Sequence, residues 1–330
     1  MNEEILIEHV RPVTFKDRKT LPTFSYSKID TFKNCPYQYN EKYNNKLYSS
    51  DTSLALELGT LCHYVLEQKG KGIRNKKNIG YENLCEILNN GTTQTDAKTR
   101  ESILGVTALK KKYFDSWYER DNASGMNYEE KMEVFHEVLK TEMSEADMEG
   151  WTPQYFELPF EFVWDDKVII HGFIDRVDVK DGEYRTIDYK TSKKIYDASK
   201  VSTSLQFGIY ALAILTMFDK LPVENIYRFI LIDEKQYALT KGWEKRLVKA
   251  LDKVFEQIEK CEKEGEWVPK PTPLCYWCSY CSNNPNAHAF KNICNYYILW
   301  TPTNKTFEKK SEWRKVNTSN TEKPRRKIIF

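Results

Sequence analysis

The chain has 330 residues, of which 40% are hydrophobic, 14% are aromatic and 30% are charged, and its formal net charge is +2. These values fit a globular, soluble protein that buries a sizeable core, as one large domain or as a core with an elaborated lobe. They exclude a uniformly basic surface, so any contact with nucleic acid has to be local.

Export and membrane insertion are both predicted to be absent. The opening residues, MNEEILIEHVRP, are acidic where a secretory signal has a basic region followed by an apolar core. The sequence has no run of about 18 apolar residues of the kind that spans a membrane. We therefore expect a cytoplasmic protein in a reducing compartment, where its eight cysteines are metal ligands or buried thiols rather than disulfides.

The first predicted helix covers residues 28–35 and follows an irregular segment, residues 1–22. The serines of Ser25-Tyr26-Ser27 can cap its start, and Pro36 ends it. The segment that follows, CPYQY, places Cys35 beside two tyrosines, which by itself is consistent with a buried thiol.

A second helix is predicted over residues 54–67, where apolar residues recur at helical spacing. Gly59, His63 and Glu67 are four residues apart and therefore share one stripe. Glycine inside a helix costs about 1 kcal/mol relative to alanine, so Gly59 indicates close packing. Taken alone, His63 is either a core histidine with its hydrogen bonds satisfied or a metal ligand.

A helical insert is predicted over residues 81–150, after a basic, glycine-containing connector at residues 70–80. The pattern predicts helices over residues 102–118 and 128–149. We interpret the charged runs of the insert as solvated helix faces.

A hairpin is predicted next. Residues 168–179 are rich in β-branched side chains, Asp181-Gly182 supplies a two-residue turn, and residues 184–190 form the returning strand. An earlier strand is predicted over residues 156–164, and we interpret Glu161 on it as a surface or edge-strand residue.

Acidic and basic side chains are predicted to meet on this hairpin. Side chains alternate along a strand, so Asp188 and Lys190 share one face, and Asp175 can lie opposite them across the ladder or its diagonal. Ion pairing alone could account for any one of them. The order of an apolar strand with Asp, a turn, and an apolar strand with Asp-x-Lys is more specific.

After the hairpin, residues 204–218 are predicted to form a strongly apolar helix. Gln206 and Tyr210 are one turn apart on this helix and need polar partners. The charged group predicted on the hairpin, a DNA phosphate or the backbone could supply them. A strand over residues 226–233 would complete a strand–helix–strand unit with the Asp188 strand. A long amphipathic helix follows over residues 240–264.

The C-terminal region is rich in cysteine and then in basic residues. Cys275, Cys278 and Cys281 form a C-x2-C-x2-C run, Cys294 follows, and such spacing lets thiolates converge on one metal centre. A zinc site made of these four cysteines is one solution. Residues 301–330 carry nine Lys and Arg against three Glu and form either a phosphate-contacting arm or a solubilising tail. The three other cysteines are interpreted as structural: Cys62, Cys85 and Cys261.

Three of these segments, in this order, resemble the RecB-type branch of the PD-(D/E)xK nuclease superfamily. They are residues 172–178 (GFIDRVD), residues 187–192 (IDYKTS) and the pair Gln206-x-x-x-Tyr210. The resemblance implies an α/β fold in which helices flank a small mixed β-sheet nuclease core, here with a helical insert and a cysteine-rich C-terminal lobe. The catalytic residues that it implies are Asp175, Asp188, Lys190, Gln206 and Tyr210.

A divalent metal ion is also implied by the resemblance. Asp175 and Asp188 would hold Mg²⁺ or Mn²⁺, with the Tyr189 carbonyl as a further ligand. In the family a Gly-x-x-x-His helix delivers an imidazole to the metal, which would be His63 here and would favour Mn²⁺. Lys190 would orient or deprotonate the attacking water or neutralise the phosphorane, and its pKa would be depressed beside the dication.

An iron–sulfur cluster is the second cofactor that the resemblance implies. RecB-type iron–sulfur nucleases carry their first cluster cysteine in a CPxxY segment, which matches Cys35. A structural [4Fe–4S] cluster would then join Cys35 to Cys275, Cys278 and a last cysteine. Relatives usually have that cysteine somewhat after an aromatic residue, whereas here Cys281 comes early and Cys294 late. Zn²⁺ is the alternative.

The sequence thus predicts a DNA nuclease, with single-stranded DNA or a free DNA end as substrate and a helicase or recombination protein as a further partner. It most resembles stand-alone exonucleases of this branch, such as CRISPR-adaptation and phage recombination nucleases. No G-x-x-x-x-G-K-[ST] run occurs, so the chain itself has no predicted nucleotide-binding P-loop. The alternatives are a non-catalytic nucleic-acid-binding component on a nuclease scaffold and a zinc-stabilised interaction adaptor.

Five segments are predicted along the chain. They are an N-terminal helical segment with Cys35 and His63 (1–80), the insert (81–150), the nuclease core (151–268), the cysteine lobe (269–300) and the basic tail (301–330).

Overall fold

The computed structural model describes residues 4–49, 52–77, 79–95, 102–238 and 242–270, followed by 272, 275, 277–281 and 294. The predicted basic tail lies outside the described residues. The chain divides into two compact units, one made of Met1–Ile29 and Thr52–Glu256 and the other of Asp30–Asp51 and Gln257–Phe330. The five predicted segments remain a prediction.

The first unit is built around a mixed β-sheet. The strands are β1 (Val10–Arg11), β2 (Thr23–Ser25), β3 (Gly91–Thr95), β4 (Ser102–Leu104), β5 (Thr152–Trp164), β6 (Val168–Lys180), β7 (Glu183–Lys190), β8 (Glu224–Phe229) and β9 (Glu234–Ala238). Seven of them form one sheet in the order β1-β5-β6-β7-β8-β9, with β2 paired to β6, and β3 and β4 form a separate pair. The β2–β6 and β7–β8 pairs are parallel, which makes the sheet mixed.

Helices make up the rest of the regular structure. They are α1 (Glu4–Ile7), α2 (Asp17–Thr20), α3 (Tyr26–Asn34), α4 (Pro36–Tyr39), a π-helical turn (Asn40–Asn44), α5 (Leu54–Arg74), α6 (Tyr81–Asn90), α7 (Val106–Lys112), α8 (Phe114–Tyr118), α9 (Tyr128–Thr141), α10 (Glu145–Met148), α11 (Ala198–Ser202), α12 (Leu205–Phe218) and α13 (Trp243–Glu264). A small mixed sheet flanked by helices confirms the predicted α/β class.

The predicted hairpin is confirmed as β6 and β7. Asp181 and Gly182 both have positive φ, 51° and 76°, as a two-residue turn that matches the strand twist requires. Lys180 pairs with Glu183, and the ladder continues to Arg176 opposite Ile187. One residue further along this register, Asp175 stands opposite Asp188.

The predicted strand–helix–strand unit is β7, α12 and β8. The Ser204 side chain caps α12 by accepting a hydrogen bond from the Phe207 backbone N–H, and β8 runs parallel to β7. Gly208 lets α13 approach closely, because a Cβ there would lie 2.5 Å from Leu247 Cδ1. By length and composition Ala198–Phe218 could cross a membrane, but 67% of its apolar stretch is buried in the fold, as in a core helix.

The helical insert differs from its prediction in two places. The expected helix over 102–118 is instead strand β4 followed by α7 and α8, because Gly105 and Gly91 bring two backbone segments together. A Cβ on Gly105 would lie 2.3 Å from the Asn89 carbonyl oxygen, and Gly91 has a φ of 74°. The expected helix over 128–149 ends at Thr141 and resumes as α10.

A buried ionic network lies on the opposite face of β6 and β7 from Asp188. Arg176 and Asp178 are two residues apart on β6 and form a bidentate pair, with distances of 2.7 and 2.9 Å from Arg176 Nε and Nη2 to the carboxylate oxygens. Arg185 on β7 donates to the same carboxylate at 2.7 Å. The Arg and second Asp of the GFIDRVD segment therefore bind each other and stabilise the hairpin.

The insert joins this network through one carboxylate. Glu142, just after α9, accepts hydrogen bonds from Arg176 on β6 and from Arg228 on β8, both at 2.8 Å. The Tyr189 hydroxyl accepts from Arg176 at 3.1 Å and donates to Glu142 at 3.4 Å. One buried acidic group thus ties three neighbouring strands together behind the site.

Candidate active site

The predicted catalytic side chains come together at the end of the hairpin. Asp175 is on β6, Asp188 and Lys190 are on β7, and α12 supplies Gln206 and Tyr210. The backbone N–H of Tyr189 donates to Asp175 Oδ2 at 2.9 Å, which fixes the first carboxylate beside the second strand.

Asp188 is held by hydrogen bonds on one oxygen and lacks them on the other. Its Oδ1 accepts hydrogen bonds from Gln206 Nε2 at 2.7 Å and from the Tyr210 hydroxyl at 3.1 Å. Its Oδ2 is buried and accepts no hydrogen bond from the described residues. Lys190 Nζ lies 2.5 Å from Oδ2 and forms an ion pair with it, and it also donates to Gln206 Oε1 at 3.2 Å. Oδ2 is therefore a charged acceptor that is neutralised mainly by a neighbouring ammonium.

A second group of ligand atoms forms around Asp175. Side-chain atoms of His63, Glu157 and Asp175 all lie within 4.8 Å of one another. His63 Nδ1 is 3.4 Å from Asp175 Oδ2. The helix that carries His63 lies close to the end of β7 at Gly59. A Cβ on this glycine would lie only 3.2 Å from Thr191 Oγ1. This explains the glycine one turn before the histidine.

Glu157 is a member of this group that sequence reasoning missed. Phe156 pairs with Arg176 and Leu158 with Ile174, which places Glu157 opposite Asp175 across the β5–β6 ladder. Glu157 also has a φ of 46°, a strained conformation for a non-glycine residue of the kind found at functional sites. Counting the register from Asp175 to the earlier strand would have identified it.

Glu161, the acidic residue that the sequence singled out on the same strand, has a different role. Its carboxylate forms an ion pair with Arg18, and its side chain is 39% exposed. This agrees with its interpretation as a surface residue.

The crowding of carboxylates shifts proton affinities in the site. Burial raises the pKa of Asp175 well above its usual range, and the negative charges of Asp188 and Glu157 raise it further. For Lys190, burial acts to lower the pKa, but the adjacent Asp188 outweighs it and the net shift is upward. Burial and the charge of Asp188 also raise the pKa of Tyr210, which therefore stays a hydrogen-bond donor.

The donor set fits a hard divalent cation. Carboxylate oxygens and one imidazole are suitable ligands for Mg²⁺ or Mn²⁺. The buried Asp188 Oδ2 without a hydrogen bond and the three ligand atoms around Asp175 are the features that such an ion would satisfy. The ring of Tyr189 faces the ionic network, and its carbonyl remains a predicted ligand.

The second unit contains a cavity lined by five cysteines. The cavity has a volume of about 300 Å³, and its thiols are those of Cys35, Cys275, Cys278, Cys281 and Cys294. The Cys35 sulfur accepts from the backbone N–H groups of Gln38 and Lys270, both at 3.5 Å. Cys281 and Cys294 stand opposite each other in an isolated β-bridge. Burial raises the pKa of Cys278 to about 11, so metal binding there would release protons.

The remaining cysteines lie apart from this cavity. Cys62 is fully buried in the hydrophobic core, and Cys85 Sγ lies 3.7 Å from His136 Nδ1. Cys261 is on α13. Their interpretation as structural thiols stays a prediction.

A mixed sheet with Asp on one strand, Asp-x-Lys on the next and a Gln-Tyr helix defines a nuclease-type core. A profile of the PD-(D/E)XK nuclease superfamily matches residues 23–284. The chain belongs to the PD-(D/E)XK nuclease superfamily, which confirms the resemblance found in the sequence.

Several relatives are similar over different parts of the chain. The gene 69 protein of Mycobacterium phage L5 is 25% identical over 311 residues, which cover 83% of this chain and 99% of that protein. The B subunit of the ATP-dependent helicase/deoxyribonuclease of Clostridium perfringens is 25% identical over 210 residues, or 59% of this chain. The protein of the same name from Streptococcus agalactiae is 28% identical over 185 residues, or 55% of this chain. The matched part of this chain spans 17% of the Clostridium protein and 15% of the Streptococcus protein.

Removing the Glu157 charge should weaken metal binding selectively. We expect Glu157→Gln to raise the dissociation constant for Mn²⁺ by about 10-fold or more, as the loss of a ligand or of a group that supports one does. Glu161→Gln is the matched control on the same strand and should leave Mn²⁺ affinity unchanged. Isothermal titration with Mn²⁺ measures both, and equal affinities of the two variants would exclude Glu157 from the metal group.

Asp175→Asn should stabilise the protein in EDTA at neutral pH. The pKa of Asp175 is higher in the folded protein than in the unfolded chain. The contribution of Asp175 to the free energy of unfolding is therefore fully present below the unfolded-state pKa, and it is lost as the pH rises through the folded-state pKa. Asparagine does not titrate and still accepts from the Tyr189 N–H. Urea unfolding at pH 8 should show that the substitution raises the free energy of unfolding by more than the ~0.5 kcal/mol typical of surface substitutions. This increase should vanish near pH 4. A loss of stability at pH 8 would contradict the raised pKa.

Proposed function

We propose that the protein is a divalent-metal-dependent deoxyribonuclease that hydrolyses phosphodiester bonds in single-stranded DNA with a free end. The observation that carries the proposal is the grouping of Asp175, Asp188 and Lys190, in which Lys190 Nζ lies 2.5 Å from the buried Asp188 Oδ2 and the charge of Asp188 raises the pKa of Asp175. A scaffold that only bound DNA would gain nothing from several carboxylates gathered in a buried place, where desolvation and their mutual charges cost free energy.

Five groups would hold the metal ion. They are Asp175, Asp188, His63, Glu157 and the Tyr189 carbonyl. Mg²⁺ or Mn²⁺ at this position would lower the pKa of water and neutralise charge on the phosphate, and the imidazole nitrogen favours Mn²⁺.

The other polar residues have separate tasks. Gln206 and Tyr210 hold Asp188 through Oδ1, so that Oδ2 keeps its direction toward the site. Lys190 is protonated beside Asp188, and its ammonium stabilises negative charge on the phosphate and orients the attacking water by hydrogen bonding. A dication on Asp188 would oppose the upward shift of the Lys190 pKa and so favour the neutral amine, which is the form that could accept a proton from water.

The preference for a single strand follows from the depth of the site. The side chain of Asp188 is only 3% exposed and that of Asp175 is 15% exposed. A flexible single strand with a free end can bring its phosphate to recessed ligands more easily than a stiff duplex can.

A helicase or recombination protein is the proposed partner. The Clostridium relative is named as part of an ATP-dependent helicase/deoxyribonuclease, whereas the present sequence has no P-loop motif. We therefore propose that strand separation, where DNA repair or recombination requires it, comes from another polypeptide.

The cysteine cavity is proposed to hold a [4Fe–4S] cluster with a structural role. Cys35, Cys275 and Cys278 would be ligands, with Cys281 or Cys294 as the fourth. The cluster is favoured over zinc because Cys35, which stands in the CPxxY segment of the resembled iron–sulfur nucleases, lines the same cavity as the C-terminal cysteines.

Lys190→Ala should lower the rate of DNA cleavage by at least about 100-fold, the loss expected when a group that handles protons or charge in the transition state is removed. Lys193→Ala is the matched control three residues further on, where the side chain is 47% exposed. The measurement is release of labelled nucleotides from single-stranded DNA with Mn²⁺, alongside circular dichroism to confirm folding. Full activity of a folded Lys190→Ala protein would refute the assigned site, and absence of cleavage by the wild type would favour a protein that only binds DNA.

Cys275→Ser should reduce the iron content and the stability of the protein, because a lost ligand removes binding energy that also stabilises the fold. Cys261→Ser, on α13, should change neither. Metal analysis and visible absorbance of anaerobically purified protein measure the first effect, and urea unfolding measures the second. A colourless wild-type protein that contains zinc would overturn the iron–sulfur assignment.

A further inference from the structure

An exposed aromatic side chain lies beside the candidate metal group. Along β6, His171 and Phe173 are exposed and Asp175 is partly exposed, while Ile170 and Ile174, which point to the other face, are buried. His171, Phe173 and Asp175 therefore share the outward face of the strand. Phe173 is 42% exposed, although the neighbouring apolar residues of this strand are in the core.

The same face continues on the paired strand β5. Pro159 pairs with Phe173 and is exposed, and Glu157 stands opposite Asp175. The outward face of the β5–β6 pair thus has carboxylates at one end and an apolar surface of one ring and one proline directly next to them. Phe173 and Pro159 are both uncharged and apolar, which suits contact with the face of a base.

Two cations border the far end of this face. Arg18 is paired with Glu161, which is the cross-strand partner of His171. Lys28 lies in the first turn of α3, which directly follows β2, and β2 is paired with β6 through Ser25 and His171. Lys28 Nζ donates to the Thr23 carbonyl at 3.0 Å. Carboxylates, an aromatic ring, and then Lys28 with the Arg18–Glu161 ion pair therefore follow one another along a single line.

The spacing along this line matches the dimensions of a nucleotide chain. Two residues of a strand advance by about 7 Å, which is close to the distance between successive phosphates of an extended single strand. A phosphate at the metal group would then bring a neighbouring base over Phe173. Aromatic rings beside basic groups are the usual means of binding single-stranded DNA without sequence preference.

We infer that Phe173 is a stacking platform for the base adjacent to the cleaved phosphodiester bond and so positions single-stranded DNA in the site. This inference rests on the proposed function and specifies how its substrate is held. The ring contributes to binding in the ground state and in the transition state alike, so its removal acts on KM more than on kcat.

The first test compares Phe173→Ala and Phe173→Trp with the wild type. Phe114→Ala is the matched control, because Phe114 on α8 is an exposed phenylalanine as well, at 62%, and is in edge-to-face contact with Tyr118. With end-labelled single-stranded DNA and Mn²⁺, Phe173→Ala should raise KM by about 10-fold with kcat little changed. Phe173→Trp should restore KM, and Phe114→Ala should match the wild type. An unchanged KM for Phe173→Ala overturns the inference.

The second test identifies the base that is stacked. Substrates carry a single abasic nucleotide, moved one position at a time from the cleaved end. In the wild type, the abasic nucleotide next to the cleaved bond should raise KM as much as Phe173→Ala does. With that substrate, Phe173→Ala should not raise KM any further, since the abasic nucleotide and the substitution remove the same contact. If the increases in KM caused by the abasic nucleotide and by Phe173→Ala add at every position, the ring contacts no base and the inference is overturned.

A failure of the proposed function can be told apart from a failure of this inference. If the wild type cleaves no DNA, the proposed function is wrong, and fluorescence anisotropy with the same oligonucleotides in Ca²⁺ then tests the ring alone. A dissociation constant about 10-fold weaker for Phe173→Ala than for Phe114→Ala would support stacking. Equal dissociation constants for these two variants would reject it.

Discussion

Repulsion between neighbouring carboxylates is the constraint around which this core is arranged. Glu157 and Asp175 have oxygens within 4.8 Å of one another, and Asp188 is close enough to raise the pKa of Asp175 further. At about 5 Å and an effective dielectric constant of about 20, Glu157 and Asp175 repel by about 3 kcal/mol when both are ionised. Stabilities of whole domains are only about 5–15 kcal/mol, so the surrounding structure has to hold these groups in place at a cost.

The contacts that oppose this repulsion lie mainly on the other side of the sheet. Arg176, Arg185 and Arg228 share the buried carboxylates of Asp178 and Glu142 and tie β6, β7 and β8 together. Such a network adds little net stability, because desolvation offsets the attraction, but breaking one of its pairs is expensive. Its effect is to fix the register of the hairpin, and that register places the carboxylates of the two strands opposite each other.

The hairpin could be predicted because its determinants are local, whereas two acidic residues were missed because their roles depend on pairing with other strands. An Asp-Gly turn between two β-branched runs fixes the register, and the register fixes which face carries Asp188 and Lys190. Glu157 joins the metal group only through its alignment with Asp175 across a different ladder. Glu142 lies in an acidic stretch that resembles a solvated helix end, yet strands that come later in the chain bury it. The short strands β3 and β4 were missed for a similar reason, since close backbone approach at glycine is a tertiary effect.

The two proposed metal centres differ in the chemistry of their ligands, and that difference is one of two factors that would keep their metals apart. Oxygen atoms and one imidazole of His63 suit Mg²⁺ or Mn²⁺, whereas thiolates select iron–sulfur clusters or zinc. Affinity for a given site rises from manganese to zinc, so affinity alone would load the nuclease site with the wrong ion. Discrimination therefore has to come from ligand type and from metal availability. Thiolates in the cysteine cavity and carboxylates beside His63 therefore favour different ions, and the supply of Mg²⁺ or Mn²⁺ in the cell decides which hard cation the carboxylate site would bind.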